Sequence, residues 1–66
     1  MTNRIKVERA ILNLTQEDLA NRISVSRQTI NAMEANKYVP STVLALKIAR
    51  VFDKRVEEIF FLDTED

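Results

Sequence analysis

The 66-residue chain has no cysteine, no histidine, no glycine and no tryptophan, and only one proline. Without Cys or His it can form no disulfide, supply no thiolate nucleophile or imidazole base, and build no ordinary zinc site. Neither a metal nor a cofactor is therefore expected, and an enzyme is disfavoured. Carboxylates such as Glu57 and Glu58 are adjacent in sequence, so on a helix the two groups face different directions and lack a companion site. No apolar run approaches the roughly 20 residues that cross a bilayer, and the first ten residues, MTNRIKVERA, lack the apolar stretch of a signal peptide. These absences lead to the expectation of a soluble protein in the reducing cytoplasm, without membrane contact. With no glycine and a lone Pro40 there is no flexible linker, and no repeat or low-complexity tract is present. Residues 1–66 read as one small domain. At this size a single core rarely supplies more than about 3–5 kcal/mol, so support from a partner is expected to matter.

The charge is balanced overall, ten basic residues against ten acidic, but unevenly distributed. Glu57, Glu58, Asp63, Glu65 and Asp66 lie in residues 57–66, which contain no Lys or Arg. By simple counting the rest of the chain is left at about +5. A neutral total argues weakly against a polyanionic partner, whereas a basic body argues for one. The plainest reading of the acidic end is a solvated, solubilising tail.

Capping residues and helical spacing divide the chain into five helices: about Asn3 to Leu12, Gln16 to Arg22, Arg27 to Ala35, Thr42 to Phe52, and Val56 to Phe60. Thr15 with Asp18 three residues on forms an approximate capping box, and Ser26 and Ser41 are suited to accept a first-turn N–H in the same way. Apolar residues recur at helical intervals: Leu19, Ala20 and Ile23; Val25, Ile30 and Met33; Leu44, Ile48, Val51 and Phe52; Ile59 and Phe60. One face of each helix can thus enter a shared interior, and the fold class is all-α. Two terminal segments fit helices poorly, Asn3-Arg4-Ile5 and Phe60-Phe61-Leu62, and a small antiparallel sheet between them is left open. The second segment, three apolar side chains beside an acidic tail, is also the candidate dimer contact: Phe60, Phe61 and Leu62.

Thr15 to Asn36, TQEDLANRISVSRQTINAMEAN, carries the chemistry. Two short helices joined by a tight turn make a helix-turn-helix, the geometry that lays a second helix in a DNA major groove. On that helix Ile30 and Met33 share an inward face, which turns Arg27, Gln28 and Asn31 outward. Arg can fork onto guanine O6/N7 and Gln or Asn onto adenine N6/N7, so these three are the candidate base readers. Taken alone they read more readily as an ordinary polar helix start than as base readers; the surrounding motif reverses that preference. Gln16 stands at a helix N-terminus suited to phosphate, and Thr29, Lys37 and Tyr38 are further backbone-contact candidates, each also readable as a plain surface residue. Arg9 and Glu34 are placed to form an ion pair between the first and third helices, structural before anything else.

These residues resemble the lambda-repressor and Cro-like (XRE) helix-turn-helix family. The similarity is carried by TQEDLA at 15–20, VSRQTI at 25–30, MEANKY at 33–38, PS at 40–41 and LALKIARVF at 44–52, and extends over essentially the whole chain. It is nearest to very short, single-domain members, which implies a five-helix domain with a small terminal β-sheet, acting as a homodimer. The resemblance also implies phosphate contact at Gln16, base reading by Arg27, Gln28 and Asn31, and an Arg9–Glu34 pair. Three positions depart from the pattern: Ser24 and Asn36 stand where glycine is common, and Glu8 where leucine is. Ser24 at positive φ would cost on the order of 1 kcal/mol, Asn36 less, and Glu8 calls the core face of the first helix into question.

Two functions follow as expectations. The first is a sequence-specific regulator of transcription, a repressor binding double-stranded DNA as a homodimer on a palindromic operator. The alternative is an interaction adaptor, antitoxin-like or coactivator-like, that keeps the fold and binds a protein. In neither case is a small-molecule ligand expected, because no second domain forms a cavity.

Overall fold

The computed structural model describes residues 1–66 as β1 (Thr2–Asn3), α1 (Ile5–Ile11), α2 (Gln16–Ile23), α3 (Arg27–Glu34), α4 (Thr42–Phe52), α5 (Val56–Ile59) and β2 (Phe60–Phe61). Ser or Thr N-cap side chains set three of the five helix starts. Thr15 Oγ1 accepts from the Asp18 N–H at 3.0 Å while the Asp18 carboxylate accepts from the Thr15 N–H at 2.9 Å, a complete reciprocal box. Ser26 and Ser41 each accept from the N–H three residues on, at 3.2 Å. These bonds satisfy donors that the first turn otherwise leaves free, and each such cap contributes about 1 kcal/mol.

Helix ends are closed without glycine. After α1, α2, α3 and α4 the chain turns through a left-handed residue, respectively Asn13 (φ 56°), Ser24 (60°), Asn36 (60°) and Asp53 (54°). The N–H of the following residue then returns to a carbonyl five positions back: Leu14 to Arg9, Val25 to Ala20, Lys37 to Ala32 and Lys54 to Ala49, at 2.9–3.0 Å. This bond satisfies a last-turn carbonyl in each helix. Asn and Asp enter the left-handed region at modest cost; Ser24 is the one position where the substitution for glycine is strained.

Twelve apolar residues form the interior, contributed by α1 (Ile5), α2 (Leu19, Ala20, Ile23), α3 (Ile30, Met33), α4 (Leu44, Ile48, Ala49, Phe52), α5 (Ile59) and Phe60. Val25 and Val51 pack against it half-buried. The termini pair as an antiparallel ribbon with Thr2 opposite Phe61 and Asn3 opposite Phe60. This pairing shortens two of the expected helices: Asn3 belongs to β1, so α1 starts at Ile5, and Phe60 leaves α5 for β2. It also turns Phe60 inward to 8% exposure, so only Phe61 and Leu62 of the expected dimer contact remain on the surface. On α1 the departure at Glu8 has a clear consequence. Glu8 is buried beside the Arg4 guanidinium (3.6 Å), while Val7, Ile11 and Leu12 are exposed. No helix is long and apolar enough to cross a membrane.

Candidate nucleic-acid interface

α2 and α3 pack directly on each other, with Ala20, 2% exposed, in the core they share. The small side chain lets the helices approach, and Ile30 and Met33 on α3 are completely buried beneath it. Helical geometry then turns Arg27, Gln28 and Asn31 away from that buried face. Arg27, Gln28 and Asn31 are all exposed and line a single depression with no apolar wall. The Ser26 cap fixes where this polar edge begins.

Arg27 also borders a second depression, shared with Arg9, Thr15, Gln16 and Glu17 at the start of α2. Its side chain therefore stands between the α3 edge and the α2 N-terminus. No ion pair engages Arg27. Lys37, exposed in the turn after α3, is equally free, and Tyr38 beside it is 44% exposed. Thr29 is less available: it is half-buried and its hydroxyl lies 3.0 Å from Ser26 Oγ.

Beneath this surface lies a polar bracket. Arg9 Nε and Nη2 donate to the two carboxylate oxygens of Glu34 at 2.7 and 3.1 Å, and Nη1 donates to the Leu14 carbonyl at 2.8 Å. Gln16 Nε2 adds a third bond to Glu34, at 3.1 Å. One carboxylate thus joins α1, the first residue of α2 and the last turn of α3. The bonds from Glu34 raise the Arg9 pKa above its ordinary value, with burial opposing. At the other end, the backbone N–H of Thr15 and then its side chain hold the Asp18 carboxyl below the usual carboxylate range. Gln16 is therefore partly committed to the bracket: it keeps one amide N–H and its carbonyl oxygen for any other contact.

The spacing of the sequence did not disclose Asn3. Its amide donates to the Met33 carbonyl at 2.8 Å and to Asn36 Oδ1 at 3.3 Å, and its own carbonyl oxygen accepts the Ile5 N–H at 3.1 Å. One side chain caps α1 and clamps the C-terminal end of α3. An Asn just ahead of a helix was the available signal; its reach to a residue 30 positions away was not. Glu17, an unpaired carboxylate in the second depression, was also not singled out.

Comparison with known proteins agrees with this arrangement. The HTH_3 family model, described as helix-turn-helix, matches residues 5–59. An uncharacterized HTH-type transcriptional regulator of Methanocaldococcus jannaschii, MJ0272, is 52% identical over 66 residues and matches along 100% of both chains. One from Archaeoglobus fulgidus is 53% identical over 100% of this chain and 93% of its own. The Bacillus subtilis regulator YgzD is 42% identical, again over 100% of each chain. The chain belongs to the Cro/C1-type (XRE) helix-turn-helix family, and the relatives named here are described as HTH-type transcriptional regulators.

Proposed function

We propose that the protein is a DNA-binding transcriptional regulator that acts as a homodimer on a palindromic operator and represses by occluding a promoter. The observation that carries this reading is the division of α3 into a buried Ile30/Met33 face and an exposed Arg27/Gln28/Asn31 edge. Arg27 forks onto a guanine and Gln28 onto an adenine, with Asn31 one turn further along the groove; Gln16, Lys37 and Tyr38 hold the phosphates that set the register. Thr29 serves through its place in the first turn more than through its hydroxyl, which is already engaged by Ser26. Two copies related by a two-fold axis present their α3 edges to successive major grooves roughly 34 Å apart, which makes the operator palindromic. The charge balance fits: the free cations Arg27 and Lys37 lie on the α3 side, while five of the ten acidic residues lie in residues 57–66.

Selection of preferred duplexes from random DNA, followed by titration across a salt series, tests the reading. A palindromic preference, a steep loss of affinity with salt, and loss of that preference in Arg27→Ala and Gln28→Ala are expected. Each good bidentate contact carries about 1–3 kcal/mol of discrimination, so either variant relaxes its base position by roughly five- to 150-fold. A flat salt response with no preference over random duplex refutes it and favours the adaptor, whose partner binding would survive both substitutions.

A further inference from the structure

α4 is apolar on more than its inner face. Leu44, Ile48, Ala49 and Phe52 enter the core, yet Val43 and Leu46 stay 64% and 57% exposed, next to Val39 at 66% in the preceding loop. Leu46 joins two adjoining depressions. One is mostly apolar and includes Met1, Pro40, Ala45, Val56 and Phe60; the other is bounded by Val43, Lys47 and Arg50. Positions 43, 46, 47 and 50 recur at helical spacing and so form one stripe, apolar toward the start of α4 and basic toward its end. Within the protomer Lys47 and Arg50 take no part in any ion pair.

The end of the chain carries the same order with opposite charge. Phe61 and Leu62 are exposed, Leu62 to 79%, and are followed by Asp63, Glu65 and Asp66. Asp63 and Asp66 close on the Met1 ammonium at 2.7 and 2.9 Å, and Met1 itself lines the apolar depression, so the tail begins at the rim of that depression. Glu65 has no partner.

We propose that residues 61–66 of one copy dock on the α4 stripe of a second copy. Leu62 enters the depression beside Leu46, and Glu65, the unpartnered tail carboxylate, meets Lys47 and Arg50. The contact is made twice about a two-fold axis, each tail lying on the other copy's helix, as an isologous interface requires. This rests on the homodimer reading above and names the surface that makes it. A second copy is the occupant because apolar and charged positions follow one another in matching order on tail and helix, with opposite sign. The exposed apolar side chains covered in this way, Val39, Val43, Leu46, Phe61 and Leu62, are five of the nine large ones in the protomer. A patch of this kind, on the order of 300–600 Å² per copy, makes a small and reversible interface. Its exposed ionic rim is weakened by salt.

Sedimentation equilibrium of the full chain without DNA, from micromolar to millimolar concentration and at low and high salt, tests this. A monomer–dimer equilibrium that weakens with salt is expected. Leu46→Glu and Leu62→Glu should each weaken it by tenfold or more, since each removes an apolar contact twice and buries a charge (about 1.4 kcal/mol per tenfold). Lys47→Glu with Arg50→Glu should do the same, and adding Glu65→Lys to that variant should restore most of the loss. Leu46 and Leu62 are more than half exposed, so at concentrations dilute enough for both proteins to be monomeric unchanged thermal melts in the variants are expected and separate weakened association from misfolding. A monomer throughout overturns the proposal, as does a dimer indifferent to Leu62→Glu and to the charge changes. The DNA reading fails separately: Arg27→Ala leaves this equilibrium unchanged, and a monomer that still shows Arg27-dependent preference for a half-site defeats only the docking.

Discussion

Replacing Glu34 by glutamine isolates the bracket under α3. The native carboxylate accepts two bonds from Arg9, at 2.7 and 3.1 Å, and one from Gln16 at 3.1 Å. An amide in its place would keep the volume but lose the charge and one of the two acceptor oxygens, so that a guanidinium whose side chain is only 14% exposed keeps the amide oxygen and the Leu14 carbonyl while one of its donors faces the amide NH2. Removing one member of a fully buried pair costs about 3–5 kcal/mol. Water reaches part of this pair and the Leu14 bond persists, so about 2–3 kcal/mol is expected here. For a domain of this length that lowers the melting temperature by roughly 10–20 °C. Since a core in a domain of this size rarely supplies more than about 3–5 kcal/mol, the variant should stand close to the edge of folding. The control is the double change Arg9→Met with Glu34→Leu, which removes both charges and keeps apolar bulk; it should cost less than Glu34→Gln alone. Urea and thermal unfolding followed by far-ultraviolet circular dichroism measure both. A cost below about 1 kcal/mol for Glu34→Gln, or a double variant as damaged as the two single changes added together, would refute the bracket as a coupled unit.

Three further outcomes are expected. Ser24→Gly relieves the one strained left-handed position and should raise stability by up to about 1 kcal/mol once glycine's greater unfolded-state entropy is subtracted; an unchanged urea midpoint contradicts this. Asp18, held below the usual carboxylate range by the Thr15 N–H, contributes stability that is complete above its unfolded pKa and is lost as the pH falls through the folded one. Asp18→Asn should therefore flatten part of the acid limb in unfolding measured from neutral pH downward, and an unaltered limb would remove Asp18 from the explanation. Lys37→Ala should weaken DNA binding evenly across sequences and reduce the slope of log affinity against log salt by about 0.9, the signature of one phosphate contact; a change in base preference would assign Lys37 a different role.

What the sequence determined by itself is local. Helix starts at Thr15, Ser26 and Ser41, the inward Ile30/Met33 face and the outward Arg27/Gln28/Asn31 edge all depend on residues three or four positions apart, where backbone hydrogen bonding and helical periodicity leave few choices. The left-handed turns at Ser24 and Asn36 were expected only from the family resemblance, which has glycine there; those at Asn13 and Asp53 were not, because no preceding cue distinguishes an Asn or Asp closing a helix from one on its surface. Tertiary structure alone decided the rest. The terminal pairing that the sequence left open formed between Thr2 and Phe61, took Asn3 and Phe60 out of their helices and decided between the two readings of Phe60, core and dimer contact, in favour of the core; Asn3 reached across to clamp the end of α3. Packing of α1 buried Glu8 while leaving Ile11 and Leu12 in solvent, against their hydropathy. Each of these outcomes is settled between segments distant in the chain, where burying whole elements against one another outweighs the preference of any single residue.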